Sequence, residues 1–184
     1  MGPQLTKAAV LLFCPSVLAV SDISLRPFAC GDIPAITAIY RHYVENSTAT
    51  FDLEAPGPTY LAEKFGHMVE AGHPVICATR DGALVGYAYA STYRPRPAYR
   101  FTCEDSIYLH HDAIGMGLGK TLLGELISQS QAFGFKQMIA VITAESAASV
   151  ALHEKFGFET VGRHANLGLK FDRWLDVIHM QKAL

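Results

Sequence analysis

Two rhythms of hydrophobic and polar positions run along the chain, and the switches between them mark its elements. Residues 24–28 alternate as a short strand, after which Ile33, Ile36, Ile39, Tyr40 and Tyr43 recur at helical spacing. Asp32 stands where a helix cap belongs and Pro34 falls in the first turn, so a helix is predicted to about Glu45. A polar stretch over 46–50 leads to Phe51 and to the loop signal Pro56-Gly57-Pro58; residues 59–71 read as a second helix ended by Gly72. Residues 74–80 and 84–93 are strands joined by the hairpin pair Asp81-Gly82. Beyond Arg94-Pro95-Arg96-Pro97 a strand is expected over about 99–109, and a glycine cluster then opens a helix lasting to about Phe133. Residues 137–142 read as an apolar strand, 146–156 as a helix stopped by Gly157, and 159–169 and 174–180 as two antiparallel strands. The order β-α-α-β-β-β-α-β-α-β-β is that of a mixed α/β single domain, without repeats or an internal linker.

Composition narrows the possibilities. Half of the 184 residues are hydrophobic, which excludes a disordered chain, and the length suits one domain. Fifteen basic residues against 17 acidic ones give a charge of −2, which argues against a general nucleic-acid binder. No stretch approaches the ~20 apolar residues that span a bilayer. Cys14, Cys30, Cys77 and Cys103 lie far apart and read as reduced, mostly buried thiols. His110 and His111 are adjacent, and neighbours on a strand point to opposite faces, so no metal is expected.

Residues 1–22 stand apart from the regular pattern. They hold Lys7, a short apolar run over 8–13, and Val17-Leu18-Ala19, which loosely resembles a signal-peptidase site. A single basic residue and Pro15 inside the apolar stretch argue against secretion, and these residues are expected to form an extension of unknown role ahead of a domain over 23–184.

The most informative feature is Gly115-Met116-Gly117-Leu118-Gly119, placed between a strand and an amphipathic helix. Glycine lets backbone amides approach a ligand closely, and the helix start favours an anion, so a phosphate-bearing cofactor is the natural inference. A nucleotide-hydrolase loop ending on Gly119-Lys120-Thr121 needs glycine at 114, where Ile114 stands. A dinucleotide loop needs glycine at 120 or 122, where Lys120 and Leu122 stand.

The remaining pattern resembles the GNAT superfamily of acyl-CoA-dependent N-acyltransferases, whose loop reads [QR]-x-x-G-x-[GA]; Gly117-Leu118-Gly119 fits and Ile114 replaces the leading Gln or Arg. Residues 99–109, 147–158, 168–176 and 48–54 resemble blocks of its phosphinothricin and methionine sulfoximine acetyltransferase group, so the resemblance covers about Ser24 to the end. It implies a mostly antiparallel sheet flanked by helices, acetyl-CoA as cosubstrate, a cytoplasmic location and a homodimer. It also implies that Gly115, Met116, Gly117, Leu118, Gly119 and Lys120 hold the coenzyme diphosphate. Ile107, Tyr108 and Leu109 would lie along its pantetheine arm, with the Leu109 amide polarising the thioester carbonyl. Ser146 replaces an Asn that commonly contacts the arm, and its hydroxyl could also cap the helix.

Acyl transfer to an amine needs a base, a polarised carbonyl and an acid for the departing thiolate. The resemblance makes Glu104 the base; an unperturbed Glu has a pKa of ~4.3, so partial burial or a relaying water is expected. Asp105 is the runner-up, expected on the opposite strand face unless a bulge intervenes. His153 stands at the place of the thiolate acid, where a purely structural hydrogen bond is the other reading. Arg94, Pro95 and Arg96, with Phe51 as an apolar wall and Asp105 and Ser106 as polar lining, are the implied acceptor site, suiting a small amino-acid-like molecule. Trp174 and Phe171 read as core or interface residues. The competing readings are an N-acetyltransferase for another amine class, and a non-catalytic acyl-CoA sensor that would need no Glu104. No cysteine with a clear histidine partner falls in the matched positions, so a covalent route is not expected.

Overall fold

The structure, a computed structural model, describes residues 23–184; the expected N-terminal extension, residues 1–22 with Cys14, lies outside the described residues. In chain order the elements are β1 (Ile23–Pro27), α1 (Ile33–Asn46), α2 (Pro58–Glu70), β2 (Val75–Arg80), β3 (Ala83–Thr92), β4 (Thr102–Leu109), α3 (Leu118–Phe133), β5 (Gln137–Thr143), α4 (Ala147–Lys155), β6 (Glu159–Lys170) and β7 (Arg173–Ala183). This is the order expected from the pattern. Asp81 and Gly82 have φ of 52° and 81°, the left-handed pair that lets a two-residue turn match the twist of β2 and β3.

The seven strands form one sheet in the order β1-β2-β3-β4-β5-β7-β6. Every pairing is antiparallel except β4 with β5. Leu118, Leu122, Leu123 and Leu126 of α3 pack on one face against Cys103, Met138 and Met180. Ile36, Ile39, Leu61 and Phe65 of α1 and α2 pack on the other against Tyr87, Tyr89 and Tyr108. No helix among the described residues is long and apolar enough to cross a membrane.

The parallel pair is short, and its shortness creates the site. β4 and β5 pair only over Thr102↔Gln137, Cys103↔Met138 and Glu104↔Ile139. Beyond Glu104, β4 continues against β3 as far as Leu109, while β5 continues against β7 as far as Thr143. The sheet therefore splits from Glu104 onward.

Several local expectations are corrected. Residues 97–99 form a 3₁₀ turn, because Pro97 sets a helical φ at its start, so β4 begins at Thr102 rather than near 99. Asp32 does not cap α1 through its side chain. Its carboxylate takes the Ala29 amide at 2.8 Å and pairs with Arg26 at 2.6 Å, closing the preceding turn instead. Cys77 and Cys103 are buried as expected, but Cys30 is exposed. Trp174 and Phe171 are exposed, which removes the core reading of the two and leaves the interface one.

Candidate active site

Strand geometry places the two neighbouring carboxylates on opposite sheet faces, as expected. Cys103, Ile107 and Leu109 pack under α3, so Asp105 shares that face; Tyr108 packs toward α1 and α2, so Glu104 and Ser106 share the other. No bulge interrupts β4 against β3. In an unbroken sheet these groups would be separated by the backbone layer. Here the split between β4 and β5 opens a cavity of about 340 Å³, and residues of both faces line it. Glu104, Asp105, Ser106, Ile107 and Tyr108 come from β4, Ala140 to Thr143 from β5, Ser146 from the approach to α4, and Ser149 and His153 from α4 itself.

On the α3 side, His153 Nε2 lies 3.1 Å from Asp105 Oδ2, and its Nδ1 lies 2.7 Å from the Ser149 carbonyl. Both side chains are almost wholly buried. A neutral imidazole has one donor and one acceptor nitrogen, whereas here both nitrogens face oxygen acceptors. The arrangement therefore favours the imidazolium. Desolvation opposes that charge, but the Asp105 hydrogen bond and charge, with the Ser149 carbonyl, outweigh it and raise the His153 pKa. The second oxygen, Asp105 Oδ1, is buried without a partner among the described residues. On the α1/α2 side, burial raises the Glu104 carboxyl above its usual range, with Arg94 and Lys64 pulling against the shift and Asp105 adding to it. This is the direction expected of Glu104.

The remaining expected residues divide. Phe51 lines the cavity together with Thr48, Ala49 and Thr50. Its ring lies against Gly168 of β6, where a Cβ would come within 2.2 Å of it. Lys170, buried at 3% exposure, donates to the Thr50 carbonyl at 2.7 Å and holds this segment in place. Both anchors sit in the C-terminal block noted in the sequence, but their contact with the segment 120 residues away has no local signal. Ser146 lines the cavity yet makes no side-chain cap, a correction: its carbonyl takes the Ser149 and Val150 amides while its hydroxyl has no partner among the described residues.

Arg94 and Pro95 line a second cavity, of about 640 Å³, beside the first; Arg94 stacks on Tyr93 with its guanidinium carbon 4.3 Å from the ring centroid. Arg96 lines neither cavity, which corrects its pairing with Arg94: it precedes the 3₁₀ turn and its carbonyl accepts the Tyr99 amide. Tyr108 lines the cavity but is buried among the α1/α2 core residues.

Leu109 carries a further correction. Its amide and its carbonyl both meet the Tyr43 hydroxyl, at 3.3 and 3.0 Å, so that amide is already engaged. The next amide, His110, bonds back to Val85 of β3. Strand alternation then turns the Ile107 amide away from β3, into the split.

The glycine loop lies past the end of β4. Gly115 and Gly117 have φ of 83° and 80°, and an added Cβ would meet nothing within 4 Å at either, so glycine serves backbone conformation there. Gly117 precedes α3 and accepts the Lys120 and Thr121 amides, which leaves the earlier Leu118 and Gly119 amides without an acceptor among the described residues. Gly119 instead packs on Leu152 of α4. The Leu118 side chain is core, and Met116 accepts a hydrogen bond from Arg80, so both can serve a ligand only through their backbone.

His110 and His111 are not on opposite faces as expected. They sit where β4 gives way to a 3₁₀ turn, their rings stack with centroids 4.2 Å apart, and with Asp112 they offer ligand atoms within 4.8 Å of one another. The group is solvent-facing.

Comparison with known proteins agrees with this architecture. The chain matches the Acetyltransferase (GNAT) family over residues 36–158. It is 46% identical over 168 residues to the phosphinothricin N-acetyltransferase of Alcaligenes faecalis, covering 91% of this chain and 85% of that one. It is 38% identical over 165 residues to the L-methionine sulfoximine/L-methionine sulfone acetyltransferase of Pseudomonas paraeruginosa, covering 88% and 94%. It superposes with a TM-score of 0.86 on a GNAT superfamily phosphinothricin acetyltransferase from Sinorhizobium meliloti in complex with AcCoA, at 45% identity over 88% of each chain. A split seven-stranded sheet, a glycine turn leading into α3 and this similarity along nearly the whole described chain agree: the protein belongs to the GNAT acetyltransferase family.

Proposed function

We propose that the protein transfers the acetyl group of acetyl-CoA directly to the α-amine of small amino-acid analogues, phosphinothricin and methionine sulfoximine or sulfone among them. One observation carries this reading: the split between β4 and β5 has Glu104 on one side and the Asp105–His153 pair on the other. A base and an acid thus flank the place where an amine and a thioester would meet.

Glu104 takes the ammonium proton, directly or through one water; its raised pKa brings it closer to that task at neutral pH. As the amine nitrogen bonds to the carbonyl carbon, the Ile107 amide stabilises the developing oxyanion. The carbon–sulfur bond then breaks and His153 donates the proton that the thiolate accepts. Asp105 moves from acceptor lining to this side of the site, where it keeps His153 charged. The Leu118 and Gly119 amides and the turn from Gly115 to Lys120 receive the diphosphate, and the free Ser146 hydroxyl contacts the arm. Arg94 holds the acceptor carboxylate, beside Pro95, while Phe51 and Ser106 complete its walls.

The transferase unit spans residues 23–184, with 1–22 an extension ahead of it. We place the protein in the cytoplasm, where acetyl-CoA is at hand, acting on small molecules rather than nucleic acid or membranes, and without a metal. The exposed Leu169 and Trp174, paired across β6 and β7, support a homodimer. The direct test is a thiol-release assay with acetyl-CoA over amino acids, polyamines and aminoglycosides. Turnover confined to amino acids is expected; turnover only with cationic amines, or acetyl-CoA binding without any turnover, overturns the reading.

A further inference from the structure

We propose that Lys64, acting with Tyr89, receives an anionic group at the far end of the acceptor's side chain, so that the site prefers amino acids ending in a phosphinate or carboxylate over those with neutral side chains. This inference rests on the amino-acid acetyltransferase reading above. Lys64 lies on α2 between Leu61 and Phe65, two buried anchors that fix the helix against the sheet. Its ammonium donates to the Tyr89 hydroxyl at 2.9 Å and stands 4.7 Å from that ring's centroid. Tyr89 lines the cavity that holds Glu104, whereas Lys64 lines the neighbouring cavity with Arg94. The pair therefore stands between the two spaces.

The hydrogen-bond sense gives the pair a function. A phenol oxygen that accepts from an ammonium keeps its own proton for donation. Among the described residues that proton has no acceptor, and Lys64 has no carboxylate within ion-pair distance. A donor and an uncompensated cation at the edge of a cavity call for an anion. Arg94 acts on Glu104 more strongly than Lys64 does. That order suits an acceptor whose α-amine meets Glu104 and whose α-carboxylate, on the same carbon, meets Arg94. Lys64 and Tyr89 then form a third station reached only by a side chain. Simple packing of the lysine stem over Tyr89 needs no such charge.

The experiment compares kcat/KM for phosphinothricin, with an anionic side chain, and methionine sulfone, with a neutral one, in wild type, Lys64→Met, Lys64→Arg and Tyr89→Phe. Methionine keeps the apolar stem and removes the charge. Losing one charge-assisted contact is expected to lower the phosphinothricin/methionine sulfone ratio roughly 10- to 100-fold in Lys64→Met, through KM rather than kcat. Lys64→Arg is expected to restore most of the ratio and Tyr89→Phe to lower it in the same direction. An unchanged ratio in Lys64→Met overturns the role of Lys64 while leaving the acetyltransferase reading intact. Absence of turnover with both amino acids in the wild type overturns that parent reading, and this inference with it.

Discussion

His153 and Asp105 meet at 3.1 Å inside the split of the sheet, with the other imidazole nitrogen 2.7 Å from the Ser149 carbonyl. Because both nitrogens face acceptors, the pair keeps a proton that a solvent-exposed histidine would release. Asp105→Asn removes the negative charge facing Nε2 and leaves at best a neutral acceptor, so the His153 pKa is expected to fall. The basic limb of the kcat profile should then move to lower pH, with kcat about tenfold lower at neutrality. Folding carries the same sign. A raised histidine pKa stabilises below the unfolded value of ~6.5 and ceases to do so as pH rises through the folded value. The melting-temperature gap between wild type and Asp105→Asn should therefore be wider at pH 6 than at pH 9. A basic limb that stays in place in the variant would show that His153 does not supply the proton.

Glu104 has the opposite linkage. Burial raises its pKa, so its charged form costs the fold stability, a cost absent below ~4.3 and complete once pH exceeds the raised value. Glu104→Gln should melt higher than wild type at pH 7 and alike at pH 4. Turnover should fall about 100-fold or more, with acetyl-CoA affinity by calorimetry unchanged. Full turnover in Glu104→Gln alongside lost turnover in Asp105→Asn would move the base to Asp105.

The fold was legible because its signals are local. Asp81-Gly82 specifies a hairpin by conformation alone, and Gly157, with φ of 78°, stops α4 where the apolar spacing ends. The two carboxylates on opposite faces of β4 follow from the two-residue period of a strand. What sequence could not show is that both would open into one cavity, since this depends on β4 and β5 parting after three paired positions. Arg96 is a similar case: the resemblance sets it beside Arg94 in the acceptor site, but it stands where the turn started by Pro97 begins and lines neither cavity. The Tyr43 hydroxyl on the Leu109 amide and Lys64 on Tyr89 join residues from different elements, and nothing in either segment announces the partner.

Gly168 tests the wall of the acceptor site. A methyl there would come within 2.2 Å of the Phe51 ring, so Gly168→Ala must displace the ring, the segment from Thr48 to Phe51, or both. The expected result is an acceptor KM raised several-fold with acetyl-CoA affinity retained, and a stability loss of about 1–3 kcal/mol. Phe51→Ala, which removes the clash, should render Gly168→Ala nearly silent in stability. Additive losses in the double variant would place the effect elsewhere.

The outer face of the β6–β7 hairpin bears Trp174, 62% exposed, directly opposite Leu169, 52% exposed. Paired large apolar side chains on open strands are costly to leave in water. Sedimentation of the wild type is expected to give a dimer, and Trp174→Glu to give a monomer with its melting curve still cooperative. A wild type that sediments as a monomer removes the proposed homodimer.

Gly117 separates conformation from space at the diphosphate turn. Its φ of 80° is one that a side-chain-bearing residue adopts only with strain, while an added Cβ would meet no atom within 4 Å. Gly117→Ala is thus expected to cost about 1–2 kcal/mol by strain alone. The chain can relieve that strain by moving φ, which would turn the Leu118 and Gly119 amides away from a bound diphosphate. Calorimetry should show acetyl-CoA binding weakened about tenfold, and dephosphorylated, shortened pantetheine thioesters weakened little, because they make no contact with the turn. Equal losses for the full and the shortened thioester would mean that the turn shapes the whole site rather than gripping the diphosphate.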